Sequence, residues 1–144
     1  KDKTEIIESN YVASEKENLV VSFDQIKKNI LSKSFNVIDA RSLERFEGKV
    51  SEPRKGLRSG HIQNSFCLPF NQCINQKTGE FKNLEELREL FNQNENIEKR
   101  LDQVFTCGSG VTAAVLAYAY KMVNNDYIPK IYDGSWSEYG KYPA

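Results

Sequence analysis

The chain has 144 residues, 39% hydrophobic and 28% charged, and its 20 basic and 20 acidic side chains cancel. Such a length and composition suit one globular domain with its own apolar core. They offer no net positive field for nucleic acid or an anionic membrane surface, and no apolar run nears the ~20 residues of a membrane helix.

Cys67, Cys73 and Cys107 are an odd number at low density, which argues for a reducing compartment, mitochondrial or cytoplasmic, over a disulfide scaffold. With one histidine, His61, and no Cys-x-x-Cys pair, no metal site is expected. The chain opens on Lys1 and so reads as a processed or excised piece.

Lys1 to Asn18 is polar and reads as a linker or amino-terminal extension before a domain over 19–144. Ser22-Phe23-Asp24-Gln25 has the form of a capping box, and Phe23, Ile26 and Ile30 keep helical spacing, predicting a helix over 23–32. Phe35 to Asp39 is a short apolar run and reads as a buried strand, with Asp39-Ala40-Arg41 at its carboxyl end. Ser42 to Phe46 suggests one helical turn. The long polar stretch to Gly60 carries Arg45, Lys49, Arg54, Lys55 and Arg58; it is either a solvated surface or an anion site. A second strand is expected over His61 to Leu68, stopped by Pro69, with Cys67 as a core thiol; Cys73 falls in a loop and is given no role. His61 is expected to make a structural hydrogen bond. Asn83 can cap a helix over 84–93 with Leu84, Leu87, Leu90 and Phe91 on one face. A last short strand is predicted over Lys130 to Asp133, then a turn that becomes a short helix.

Between these lies Val104-Phe105-Thr106-Cys107-Gly108-Ser109-Gly110-Val111-Thr112. A strand runs into a cysteine, a loop with two glycines follows, and a helix begins. Val111, Ala114, Val115, Tyr118, Ala119, Met122 and Val123 mark its apolar face. The glycines let the backbone curl so that amide N–H groups point inward, and the positive end of the helix faces the same space. A cysteine there should have a lowered pKa and be nucleophilic. The simpler alternative is a buried thiol ending a core strand. The nucleophile reading requires a sulfur open to solvent and loop amides turned inward. Strands alternating with helices imply an α/β fold with a mostly parallel central sheet, helices on both faces and the Cys107 loop at its carboxyl edge.

Asp39-Ala40-Arg41, Arg45-Phe46-x-Gly48, Glu52-Pro53-Arg54, Gly60-His61-Ile62, Cys107-Gly108-Ser109-Gly110-Val111-Thr112 and Tyr132-Asp133-Gly134-Ser135-Trp136 together resemble the rhodanese (sulfurtransferase) family. In particular they are similar to the carboxy-terminal, catalytic domains of its 3-mercaptopyruvate sulfurtransferase branch. The resemblance implies a rhodanese-like fold and a sulfur relay in which Cys107 becomes a persulfide, discharged to a thiol or cyanide. It implies that Gly108, Gly110, Val111 and Thr112 belong to an amide cradle, that Ser109 assists proton transfer or polarises the donor, and that Arg45 and Arg54 hold the donor carboxylate. Gly108 and Ser109 stand where thiosulfate-preferring members carry basic residues, which favours mercaptopyruvate over thiosulfate. No cofactor is implied. The implied partners are a small-molecule sulfur donor, a thiol acceptor with thioredoxin as a candidate, and a second, amino-terminal rhodanese-like domain that packs over the site. Gln63-Asn64 departs from the family's Pro-Gly and should alter a turn.

Two other readings compete. A phosphatase of related fold needs Cys-x5-Arg, and position 113 is Ala113. A rhodanese-like structural or regulatory module without catalysis would be recognised by an intact loop beside a blocked cleft.

Overall fold

The structure, a computed structural model, describes residues 10–14, 16, 18–93 and 97–143. The elements are α1 (Phe23–Ser32), β1 (Phe35–Asp39), α2 (Leu43–Phe46), β2 (Ser65–Cys67), a 3-10 turn at Phe70–Cys73, α3 (Leu84–Asn92), β3 (Asp102–Thr106), α4 (Val111–Val123), β4 (Lys130–Ile131) and α5 (Ser135–Tyr139). Local chemistry explains the starts of α1 and α3. The Ser22 hydroxyl accepts from the Gln25 amide while Gln25 reaches back, and Asn83 and Glu86 repeat the arrangement on α3.

The four strands form one parallel sheet in the order β2-β1-β3-β4. Alternate residues of β1 and β3 face opposite layers. Val37 and Val104 point to a cluster with Ile26 of α1, Tyr132 and Trp136 of α5. Ile38 and Phe105 point the other way, to Leu87 and Phe91 of α3 and Ala113, Leu116 and Ala117 of α4. Helices therefore cover both faces, and the carboxyl ends of β1 and β3 carry Asp39 and Thr106 to one edge.

Much of the predicted amino-terminal extension lies outside the described residues; Leu19 to Val21 pair alongside Ile131. The second and last strands are shorter than expected. Gln63-Asn64 forms a turn, with Asn64 at φ 62° and its side-chain amide donating to Ile30 O at 3.0 Å, so pairing starts only at Ser65. Asparagine tolerates this left-handed conformation, which accommodates the departure from the family pattern.

Two burial expectations are corrected. Of the expected face of α4, Ala119 is buried and Met122 and Val123 pack against the core, but Val111 is 73% and Tyr118 59% exposed, and the rest of the core-facing side is Ala113, Leu116 and Ala117. The helix is apolar on nearly every side, so spacing alone does not set its rotation; the geometry of the preceding loop does. The core thiol is Cys73, fully buried under α4, whereas Cys67 is only half-buried at the end of an edge strand.

Candidate functional site

The loop after β3 is closed by hydrogen bonds that sort its backbone groups. The Ser109 amide donates to Cys107 Sγ at 3.4 Å, and the Thr112 hydroxyl and the Thr112 and Ala113 amides lie around the same sulfur, where they favour its anion. Burial pushes the Cys107 thiol up; the Thr112 hydroxyl and the three amides outweigh it and bring the group below the ordinary thiol value. The other cysteines move the opposite way. Burial and the nearby Asp39 charge push Cys67 up to about 12, and burial pushes Cys73 up to about 11.

One requirement of the nucleophile reading is met and one is not. The amides of Ser109, Thr112 and Ala113 turn inward, but Cys107 is only 2% exposed. Its base packs on the apolar cluster under the sheet edge, and the loop curls over it. The cradle is also composed differently from expectation. The Gly110 N–H faces away from the sulfur and donates to Ser135 Oγ at 3.0 Å, and the Val111 side chain faces solvent. Ala113, absent from the expected set, contributes in their place because the first turn of α4 leaves its N–H without a helical carbonyl. Its side chain gives no signal for this, since only its backbone is used.

Gly110 sits at φ 82°, and any side chain there would collide with the Asp133 carboxylate. At Gly108 a Cβ would lie 3.2 Å from Arg45 Nη2 and 3.5 Å from Arg54 Nη1. Both guanidinium groups thus approach the loop backbone, and Arg54 Nη1 lies 3.5 Å from Gly108 O. The structure therefore brings Arg45 and Arg54 together beside the Cys107 loop. The side chain of Ser109 is half-buried at the rim.

Arg45 is held from below by a buried ion network. Glu52, whose side chain is 1% exposed, bridges Arg45 at 2.5 Å and Arg41 at 2.9 Å, and Arg41 also pairs with Asp39 at 2.7 Å. The Arg41 guanidinium stacks 4.4 Å from the Trp136 ring, with Arg58 4.6 Å from the same ring. Nothing in the spacing of Glu52 distinguishes it from a surface acid, so its bridging position was not legible. His61 makes the expected structural contact: Nδ1 donates to Phe46 O at 2.8 Å and the ring stacks on Phe46 at 4.0 Å. Two clefts, of about 340 and 300 Å³, are lined by Gln103 and by Phe35 and Asn36 at the opposite, amino edge of the sheet. No helix among the described residues is long and apolar enough to cross a membrane.

Comparison with known proteins gives a consistent picture. The family model described as Rhodanese-like domain matches residues 22–142. The mitochondrial thiosulfate/3-mercaptopyruvate sulfurtransferase 1 of Arabidopsis thaliana is 42% identical over 126 residues, 88% of this chain and 32% of that protein. The 3-mercaptopyruvate sulfurtransferase of Homo sapiens is 39% identical, over 83% of this chain and 39% of that protein. The crystal structure of SseA from Escherichia coli superposes with a TM-score of 0.74 at 31% identity, over 94% of this chain and 48% of that one. The chain thus spans about a third to two-fifths of the length of these curated relatives. The match across nearly the whole chain, on a parallel sheet that carries the cysteine loop at its carboxyl edge, means that the chain belongs to the family of rhodanese-like domains.

Proposed function

We propose that this chain is a sulfurtransferase domain that moves a sulfur atom from 3-mercaptopyruvate, or less readily thiosulfate, to a thiol or cyanide through a persulfide on Cys107. The observation that carries the reading is a buried cysteine held toward the thiolate by the Thr112 hydroxyl and three amides, with Arg45 and Arg54 at the rim of the same loop.

The chemistry follows from those groups. The Cys107 thiolate attacks the sulfur of mercaptopyruvate. An S–S bond forms, the C–S bond breaks, and its electron pair leaves as the enolate of pyruvate, which takes up a proton at carbon. The sulfur is oxidised and the carbon reduced, so no outside oxidant is needed. Arg54, which has no carboxylate partner within ion-pair distance among the described residues, clamps the donor carboxylate with Arg45. Ser109 assists the proton transfer at the rim. The cradle then receives the negative charge on the outer sulfur. An acceptor thiolate attacks that sulfur and releases Cys107 as the thiolate again.

With Cys107 2% exposed, the open sulfur that the nucleophile reading requires is absent from this arrangement, and the proposal holds only if the donor displaces the rim to reach it. A second rhodanese-like domain, in a longer protein of the relatives' length, would supply the other wall of the cleft. The name of the first Arabidopsis relative carries a mitochondrial setting, which supports the mitochondrial side of the expected mitochondrial or cytoplasmic setting. The same burial favours a second reading, a structural or regulatory module with an intact but closed loop. Pyruvate release from 3-mercaptopyruvate with a thiol acceptor separates the two. Turnover that Cys107→Ser abolishes supports the enzyme; turnover that survives the substitution rules out the mechanism, and no turnover by either form favours the module.

A further inference from the structure

Ser135 is fully buried and sits at φ 52°, a conformation that costs a non-glycine residue on the order of 1 kcal/mol or more. Glycine would relieve that strain, so the side chain has a use. Its hydroxyl donates to Tyr132 O at 2.8 Å and accepts the N–H of Cys107 at 3.2 Å and of Gly110 at 3.0 Å. Thr106 Oγ1 approaches at 3.3 Å. The next two residues act on the loop carbonyls: the Trp136 and Ser137 amides donate to Cys107 O and Gly108 O, each at 2.9 Å. The stretch 135–137 thus holds both ends of the cysteine loop. With the Cys107 and Gly110 N–H groups tied to one oxygen, the Ser109, Thr112 and Ala113 amides are the ones left to converge on the sulfur.

We propose that Ser135 is a positioning residue for the sulfur chemistry: its hydroxyl fixes the curl of the Cys107–Gly110 backbone that aims the cradle amides at Sγ. The proposal rests on the reading of Cys107 as the nucleophile, but its test needs no sulfur donor. The pH dependence of Cys107 alkylation by iodoacetamide is measured site by site, with mass spectrometry separating Cys67 and Cys73. The charged groups facing the loop, Arg45, Arg54 and Asp133, stay unchanged.

Ser135→Ala removes the hydroxyl, and Ser135→Gly removes it while relieving the strained φ, so a folded form is retained for comparison. Both should move the alkylation midpoint up by about one pH unit, the shift expected when the donors to a thiolate lose alignment. Ile26→Val, a core change in the cluster on the opposite face of the sheet from Cys107, should lower stability and leave the midpoint in place. A Ser135→Gly midpoint equal to wild type would overturn the proposal, because the side chain would then serve only packing. A shifted midpoint in a chain that transfers no sulfur would support the role of Ser135 while removing the proposed function.

Discussion

A sulfur anion needs donors close by, and the Thr112 hydroxyl is the side-chain donor that lowers the Cys107 pKa, beside the Ser109 amide at 3.4 Å. Thr112→Val keeps the shape and deletes that donor. Losing one hydrogen bond of about 1.4 kcal/mol to the anion raises the pKa by roughly one unit. The midpoint of Cys107 alkylation against pH should rise by about one unit, with the rate falling about tenfold on the acid side of that midpoint; an unchanged midpoint would mean that the hydroxyl does not reach the sulfur. The two arginines separate in the same way. Arg54→Ala removes a guanidinium with no carboxylate partner and should raise KM for mercaptopyruvate 10- to 100-fold, from about 1.5–3 kcal/mol of charge-assisted bonding, with unfolding unaffected. Arg45→Ala also removes one of the two guanidinium partners of the buried Glu52 carboxylate, leaving it only Arg41, so it should lower both affinity and the thermal midpoint. At this scale the sequence is readable where a side chain does the work. Cys107 stands out by type and spacing, and Arg45 and Arg54 through the family resemblance, whereas the contribution of the Ala113 amide and the left-handed φ of Ser135 leave no trace in residue identity.

At the scale of elements, α4 and β3 decide where the site stands. The start of α4 was legible because a glycine loop precedes an apolar run. Its rotation was not, because Ala, Val, Leu, Tyr and Met surround the helix and give no polar side to mark the outside. The strand is clearer: the alternation of Val104 and Phe105 between two clusters follows from period two. Phe105, fully buried, anchors α3, α4 and Tyr127 to the centre of the sheet through edge contacts with Phe91 and Tyr127. Phe105→Ala should cost about 3–5 kcal/mol in urea unfolding. A loss below about 1 kcal/mol would mean that the core on the α4 side collapses into the gap rather than depending on that ring.

For the whole molecule, burial and ionisation set the response to pH. The fold prefers Cys67 and Cys73 protonated, with Tyr127 and Tyr132 also shifted upward by burial. Their stabilisation is complete below the ordinary thiol value of 9.0 and is lost as pH rises toward about 11 and 12. The urea midpoint should therefore fall steadily above pH 9; a flat profile would contradict the burial of these groups. Cys107 has the opposite sign: its lowered pKa contributes stability above the ordinary value that is lost as pH falls through the folded one.

The fold class was legible at this scale because strand and helix patterns alternate. The ion network of Asp39, Arg41, Glu52 and Arg45 was not, because residues so rarely buried look like surface until the chain closes around them. The proposed function turns on one chemical event, the capture of a sulfur atom by Cys107. Intact-protein and peptide mass spectrometry after incubation with 3-mercaptopyruvate tests it most directly. The account predicts the gain of one sulfur on Cys107, removed by a thiol acceptor and absent in Cys107→Ser; a folded chain whose Cys107 gains no sulfur from either mercaptopyruvate or thiosulfate would contradict it.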